Sequence, residues 1–125
     1  MHPITHLPLT ETVLAAAFEV SNTLGCGFLE KVYERALLHE LQLRGLKATP
    51  QTSFRVTYKS QSVDDYFADI LVEDTLVIEL KSVPTLTSDH TAQCLNYLKA
   101  SGKPLCLLIN FHKPKVEWKR LALSA

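Results

Sequence analysis

The stretch VDDYFADILV (residues 63–72), followed by EDT (73–75) and LVIELK (76–81), decides how this chain folds. Two β-rich runs flank three polar residues, the pattern of a hairpin with a three-residue loop, although the loop lacks the usual glycine. Pairing the runs about Asp74 sets Asp69 opposite Glu79, each five residues from the centre. Directly opposed residues share a face, with Cβ atoms about 5 Å apart. Lys81, two residues beyond Glu79, shares that face as well. Two carboxylates and one ammonium therefore converge, flanked by Phe67, Leu71 and Val77. Like charges directly opposite one another destabilise a sheet, unless a cation neutralises them or one carboxyl takes a proton. A divalent metal is the economical answer. Magnesium takes oxygen ligands, commonly one or two carboxylates with waters and phosphate oxygens completing the shell. A lysine beside it can stabilise charge developing on a phosphate or help deprotonate an attacking water. Ordinary solvated strand faces also carry such residues, so the hairpin alone leaves both readings open.

Working outward, Thr87 or Ser88 can cap a helix running to about Ala100, with Gly102 at its end. Residues 104–110 (PLCLLIN) are continuously apolar and suit a buried central strand. A helix joining residues 76–81 to this strand makes the two parallel. Residues 115–121 alternate again, as an edge strand does. Upstream, residues 10–24 read as a helix with Thr10 as cap and Val13, Ala16, Ala17, Val20 and Leu24 at helical spacing. Gly25-Cys26-Gly27 breaks it. A second helix runs from about Phe28 to Arg44, stopped by Gly45. Phe54, Val56 and Tyr58 alternate as a strand, and residues 59–62 make a turn. The order predicts an α/β (α+β) fold, with a mixed central sheet of four to five strands flanked by helices. With neither repeat nor linker, residues 1–125 read as one domain.

Two helices offer further polar groups. On the second, Glu30, Tyr33, Glu34 and Leu37 lie along one face. Glu34 and Glu40 read as its solvated flank, whereas Glu30 stands between flank and site. On the third, His90, Gln93 and Tyr97 share a face, and Gln93 could orient a water or a phosphate, or be an ordinary exposed amide.

Composition narrows the function. Among 125 residues, 13 basic balance 13 acidic, against a strongly electrostatic nucleic-acid binder. Locally the balance fails: residues 64–89 hold seven acids and one base, and residues 99–120 six bases and one acid. That is a metal site beside a phosphate-binding surface, or two solvated faces of opposite sign. Cys26, Cys94 and Cys106 form no metal-knuckle pattern and read as free thiols in a reducing compartment. His2, His6, His39, His90 and His112 lack paired ligand spacing. No apolar run reaches the roughly 20 residues of a bilayer span, and no secretory signal is visible, so a cytoplasmic location without membrane contact is expected.

The residues GFLEKVY (27–33), YFADILV (66–72), VIELK (77–81), QCLNYL (93–98) and LLINF (107–111) together resemble the GxxExxY family. That family is placed in the PD-(D/E)XK nuclease-like superfamily, and the resemblance spans about residues 10–121. It implies a restriction-endonuclease-like core and a nuclease using Mg2+ or Mn2+ on nucleic acid, DNA first. Asp69, Glu79 and Glu30 would be the metal ligands, with Lys81 near the scissile phosphate and Gln93 beside it, these five forming the catalytic set. A proline often precedes the superfamily's aspartate; Ala68 stands there, as in this branch. Tyr33 and Tyr97 match family positions and are carried as nucleic-acid contacts with Lys113, Lys115, Lys119 and Arg120. These four could instead be edge-strand lysines and arginine that discourage aggregation. Trp118 could stack on a base or cover the core. A homodimer is plausible for cutting two strands. The alternative function is a catalytically silent module binding nucleic acid or protein on the same fold.

Overall fold

The computed structural model describes residues 7–123, with the side chain of Leu7 excepted. The elements run α1 (Leu7–Leu24), α2 (Glu30–Leu43), β1 (Ala48–Tyr58), β2 (Gln61–Val72), β3 (Leu76–Lys81), α3 (Ser88–Ser101), β4 (Leu105–Asn110) and β5 (Glu117–Leu121). The central hairpin pairs Ile70 with Ile78, Leu71 with Val77 and Val72 with Leu76, the register expected about Asp74. Its loop manages without glycine because Glu73 and Asp74 take left-handed backbones, at φ of 52° and 56°.

The five strands form one sheet in the order β1-β2-β3-β4-β5. β3 and β4 run parallel through the α3 crossover, and the other neighbours are antiparallel. The sheet is therefore mixed, as expected. Every residue of β4 is buried, which accounts for its unbroken apolar sequence. Alternate residues feed two cores. Ile70, Ile78, Leu80, Leu107 and Ile109 face α1 and α2, packing on Val13, Ala17, Tyr33, Leu37 and Leu41. Val77, Cys106 and Leu108 face α3, packing on Cys94 and Leu98. Each fully buried aliphatic side chain contributes about 1.5–3 kcal/mol, so these layers fix the frame on which the polar residues sit.

The sequence expectations differ from the structure at several ends, each for a local reason. α1 begins at Leu7, not at Thr10, because Pro8 is tolerated in a first turn. Thr10 is buried inside the helix, so it is not the cap. α2 begins at Glu30 rather than Phe28, because the chain first turns through Gly25 and Gly27, at φ of 73° and 107°. β1 starts at Ala48, six residues before the first residue of the expected alternation. Its first half is polar because it lies on the sheet edge. The following turn is only Lys59-Ser60, both left-handed, a two-residue connection that matches strand twist. At α3, Thr87 is the cap, and the His90 side chain closes a capping box with it. β5 starts at Glu117, two residues later than expected.

Asn110, at the end of β4, clamps the chain that leaves β3. Its side chain accepts from the Val83 amide (3.0 Å) and donates to the Val83 carbonyl (2.8 Å) and to Glu117 (3.1 Å). Asn110 is fully buried, so losing it strands those groups. Asn110→Ala is expected to cost about 1–3 kcal/mol. The check is a lowered urea midpoint with an unchanged slope; an unchanged midpoint would show that the clamp carries no load.

Candidate active site

The polar centre begins where β2 stops pairing. Strand β1 pairs with β2 at Pro50–Ile70 and again at Thr52–Ala68, but the position between, Gln51 and Asp69, drops out. On the other side, pairing with β3 ends at Ile70–Ile78, one short of Asp69 and Glu79. Asp69 thus interrupts the ladders on both its sides. Its Oδ2 accepts the Leu80 amide hydrogen at 2.8 Å, so a side chain takes the place of a strand carbonyl. Gln51 is left-handed there, at φ of 48°. The strand also rolls over at this point. Ala68 packs in the α3-side core, whereas Ile70 packs on α1 and α2. In a flat strand those two would share a face.

Glu79 is 5% exposed, and its Oε1 has no hydrogen-bond partner. Lys81, the last residue of β3, donates from Nζ to Gln93 Oε1 at 3.2 Å. The hairpin and α3 thus bring Asp69, Glu79, Lys81 and Gln93 to one place. Glu30 opens α2, where burial raises its carboxyl and Lys81 opposes that rise. Glu34 corrects the sequence reading: it is 7% exposed, not a solvated flank. Lys31 Nζ lies 3.2 Å from its Oε2, and Gln51 Nε2 donates to its Oε1 at 3.0 Å. The signal was present, since Glu34, Leu37 and Leu41 follow helical spacing and all are buried. Glu40 does lie on the flank, paired with Arg44 at 2.7 Å.

The cluster is short of positive charge. Burial pushes Asp69 up to about 6; the Leu80 amide resists this, and Glu34 and Glu30 add to it. Burial pushes Glu79 up to about 9, with Asp69 adding repulsion. A desolvated oxygen-donor set with an orphaned carboxylate oxygen fits a hard divalent cation held by one or two carboxylates. Among the described residues, no three His, Cys, Asp or Glu side chains are grouped to hold an ion. Glu30, at the start of α2, reaches this centre through its charge, which adds to the rise of Asp69.

Other expected contacts separate from this centre. Tyr33 is 1% exposed, stacked on Phe111 at 4.8 Å, and its hydroxyl donates to the Gly25 carbonyl at 2.6 Å. It also accepts the Phe28 amide, so it fastens the glycine loop and has no surface for nucleic acid. Tyr97 is half-buried and stacked on Tyr66 at 4.0 Å. Lys113 and Lys115 lie in the connection after β4, at the sheet end where Lys81 pairs with Asn110. Lys119 and Arg120, opposite Leu108 and Leu107, point to opposite faces, so the four do not form one basic patch. Trp118 is 42% exposed on the edge strand and not core. Cys94 and Cys106 are buried free thiols and Cys26 an exposed one. His2 and His6 lie outside the described residues.

Residues 8–121 match the family described as the PD-(D/E)XK nuclease superfamily. No curated protein and no solved structure gives a match. No helix among the described residues is long and apolar enough to cross a membrane.

The electrostatics predict a pH profile. Folding raises Asp69 from 3.8 to about 6 and Glu79 from 4.5 to about 9, so the native state binds more protons than the unfolded chain between those values. This contribution to stability is therefore lost as pH rises from about 4 to about 9. Metal-free protein is expected to melt at falling temperature across that range, and Mg2+ to reverse the loss at its alkaline end. Glu79→Gln, which removes the charge and keeps the shape, should melt at least about 3 °C above wild type at pH 8 without metal. A lower melting point for that variant would show that the carboxylate is satisfied.

Proposed function

The chain belongs to the PD-(D/E)XK nuclease superfamily, and from that premise we propose that it hydrolyses phosphodiester bonds in DNA with Mg2+ or Mn2+. The observation that carries the proposal is the orphaned Glu79 oxygen beside Asp69, in a cluster whose carboxylates Lys81 does not balance. The glycine, glutamate and tyrosine at 27, 30 and 33 support a finer placement in the GxxExxY branch.

In this reading Asp69 and Glu79 supply the anionic oxygens. The Leu80 amide holds Asp69 in place, and the buried setting of Glu79 keeps water from competing for it. The chemistry a divalent ion supplies in such a place is polarisation of a phosphoryl oxygen and acidification of a water. Lys81 donates hydrogen bonds to the phosphate oxygens as charge builds there. Gln93 positions Lys81 by accepting from its ammonium, so the cation points across the gap between β3 and α3. Glu30 and Glu34 add negative potential that draws a cation inward.

The balance of 13 basic and 13 acidic residues in a chain of 125 favours a second reading, a silent binding module. Metal-supplemented cleavage of single- and double-stranded DNA and RNA separates the two. Wild type should cleave DNA with Mg2+ or Mn2+ and stop in chelator. Asp69→Asn and Lys81→Ala should each lose at least about 100-fold. Gln93→Ala should lose less, roughly 10-fold, because it misplaces the lysine without removing it. No cleavage of any substrate, with binding equal in metal and chelator, would establish the module instead. Light scattering of the protein on duplex DNA tests whether two copies act together.

A further inference from the structure

A groove of about 470 Å³ runs between α3 and the outer part of the β1–β2 hairpin. Its walls include Arg55 and Thr57 from β1, Tyr66 from β2, and Asn96, Tyr97 and Lys99 from α3. The aromatic wall is built, not incidental. Phe54 stacks on Tyr66 at 5.4 Å, and Tyr66 stacks on Tyr97 at 4.0 Å with the rings 6° from parallel. The Tyr66 hydroxyl donates to the Tyr97 carbonyl at 2.7 Å, which locks the hairpin to the helix. Tyr97 ends this stack and is half-buried. One exposed cation, Lys99, flanks it on α3. Arg55 lies opposite Asp65, 3.8 Å from it, and so points to the other face of the hairpin from Phe54 and Tyr66, bordering the groove without offering its guanidinium to Tyr97. Lys99 forms no ion pair among the described residues.

An aromatic face, the Asn96 side-chain amide and the Lys99 cation match the three parts of a nucleotide: base, base edge and phosphate. The position fits too. Tyr97 lies one helical turn beyond Gln93, the residue that holds Lys81, and four residues of helix advance about 6 Å. That is close to the step between successive phosphates on an extended strand. We propose that this groove binds one unpaired nucleotide of a single-stranded polynucleotide, next to the bond that is cleaved, with its base on Tyr97 and its phosphate at Lys99. The proposal rests on the phosphodiesterase reading for its register and adds the substrate class, because a base inside a duplex cannot reach the stack.

The test uses the full chain in chelator, so that no turnover occurs. Fluorescence anisotropy measures binding of a labelled oligothymidylate and of a duplex of equal length at several salt concentrations. Wild type should prefer the single strand. Lys99→Glu, at an exposed position, should weaken single-strand binding at least about 10-fold and lower the salt slope by about 0.7, whereas Arg55→Glu on the other face should change neither. A thymidine monophosphate titration should shift the backbone NMR signals of Asn96, Tyr97 and Lys99. Three results overturn the groove: equal affinity for duplex, an unchanged slope in Lys99→Glu, or shifts confined to the loop bearing Lys113 and Lys115. If wild type cleaves DNA yet any of these appears, the groove fails and the nuclease reading stands. If the groove binds as described and nothing cleaves, the nuclease reading fails alone.

Discussion

One hydrogen bond organises this molecule: the Leu80 amide given to the Asp69 carboxylate instead of to a neighbouring strand. A sheet stabilises itself by pairing every backbone group, and an unpaired buried amide costs about 1–3 kcal/mol. By satisfying Leu80 with a side chain, the fold can end the β2–β3 ladder at Ile70 and Ile78 without that penalty. The strands then part. The gap receives two carboxylates, whose desolvation and mutual repulsion the sheet alone does not relieve. Packing elsewhere must carry that load. It does so through β4, buried throughout, and through the two apolar layers that grip it from both sides.

What the sequence revealed follows from the range of its signals. The register of the central hairpin was legible because two apolar runs meet across a short loop, and counting from Asp74 is enough. The parallel pairing of β3 with β4 followed from a helix between them. The break at Asp69 was not legible. Nothing in YFADILV announces that residue 68 and residue 70 face different cores, since alternation assumes a flat strand. Gln51 was invisible for the same reason, because a left-handed residue in a strand has no local signature when it is not glycine. Glu34 was different: its spacing with Leu37 and Leu41 pointed inward, and its charge argued outward. Spacing won because Lys31 and Gln51 give the carboxylate partners inside. Tyr33 shows the reverse. A motif tyrosine suggested contact with a ligand, yet its hydroxyl ties down the backbone of the glycine loop.

The zero net charge hides a strongly uneven molecule. Acids gather on the hairpin and α2, where burial raises Glu30, Asp69 and Glu79 together. Bases lie on the connection after β4, on β5 and at the rim of α3. A polyanion approaching the acidic gap would be repelled unless a cation were held there first. Were a cation and a polynucleotide to meet at this gap, the deficit of positive charge would couple their uptake, each lowering the cost of the other.

Helix α3 carries groups that face both the lysine and the hairpin arm. It presents Gln93 to Lys81 and, one turn on, Tyr97 to the aromatic stack of the β1–β2 hairpin. Its start is fixed by Thr87 and His90, and its end by left-handed Gly102. A capped helix of 14 residues holds both groups on one element, and Cys94 and Leu98 pack that element on Val77, Cys106 and Leu108. The hairpin beyond Asp69 is largely exposed on both faces, and it meets α3 through the Tyr66 ring and hydroxyl at Tyr97. Aligning the acids on β2 and β3 is the work of the sheet, whereas Lys81 is aimed by Gln93, from a helix whose place is set by its apolar packing on the same sheet.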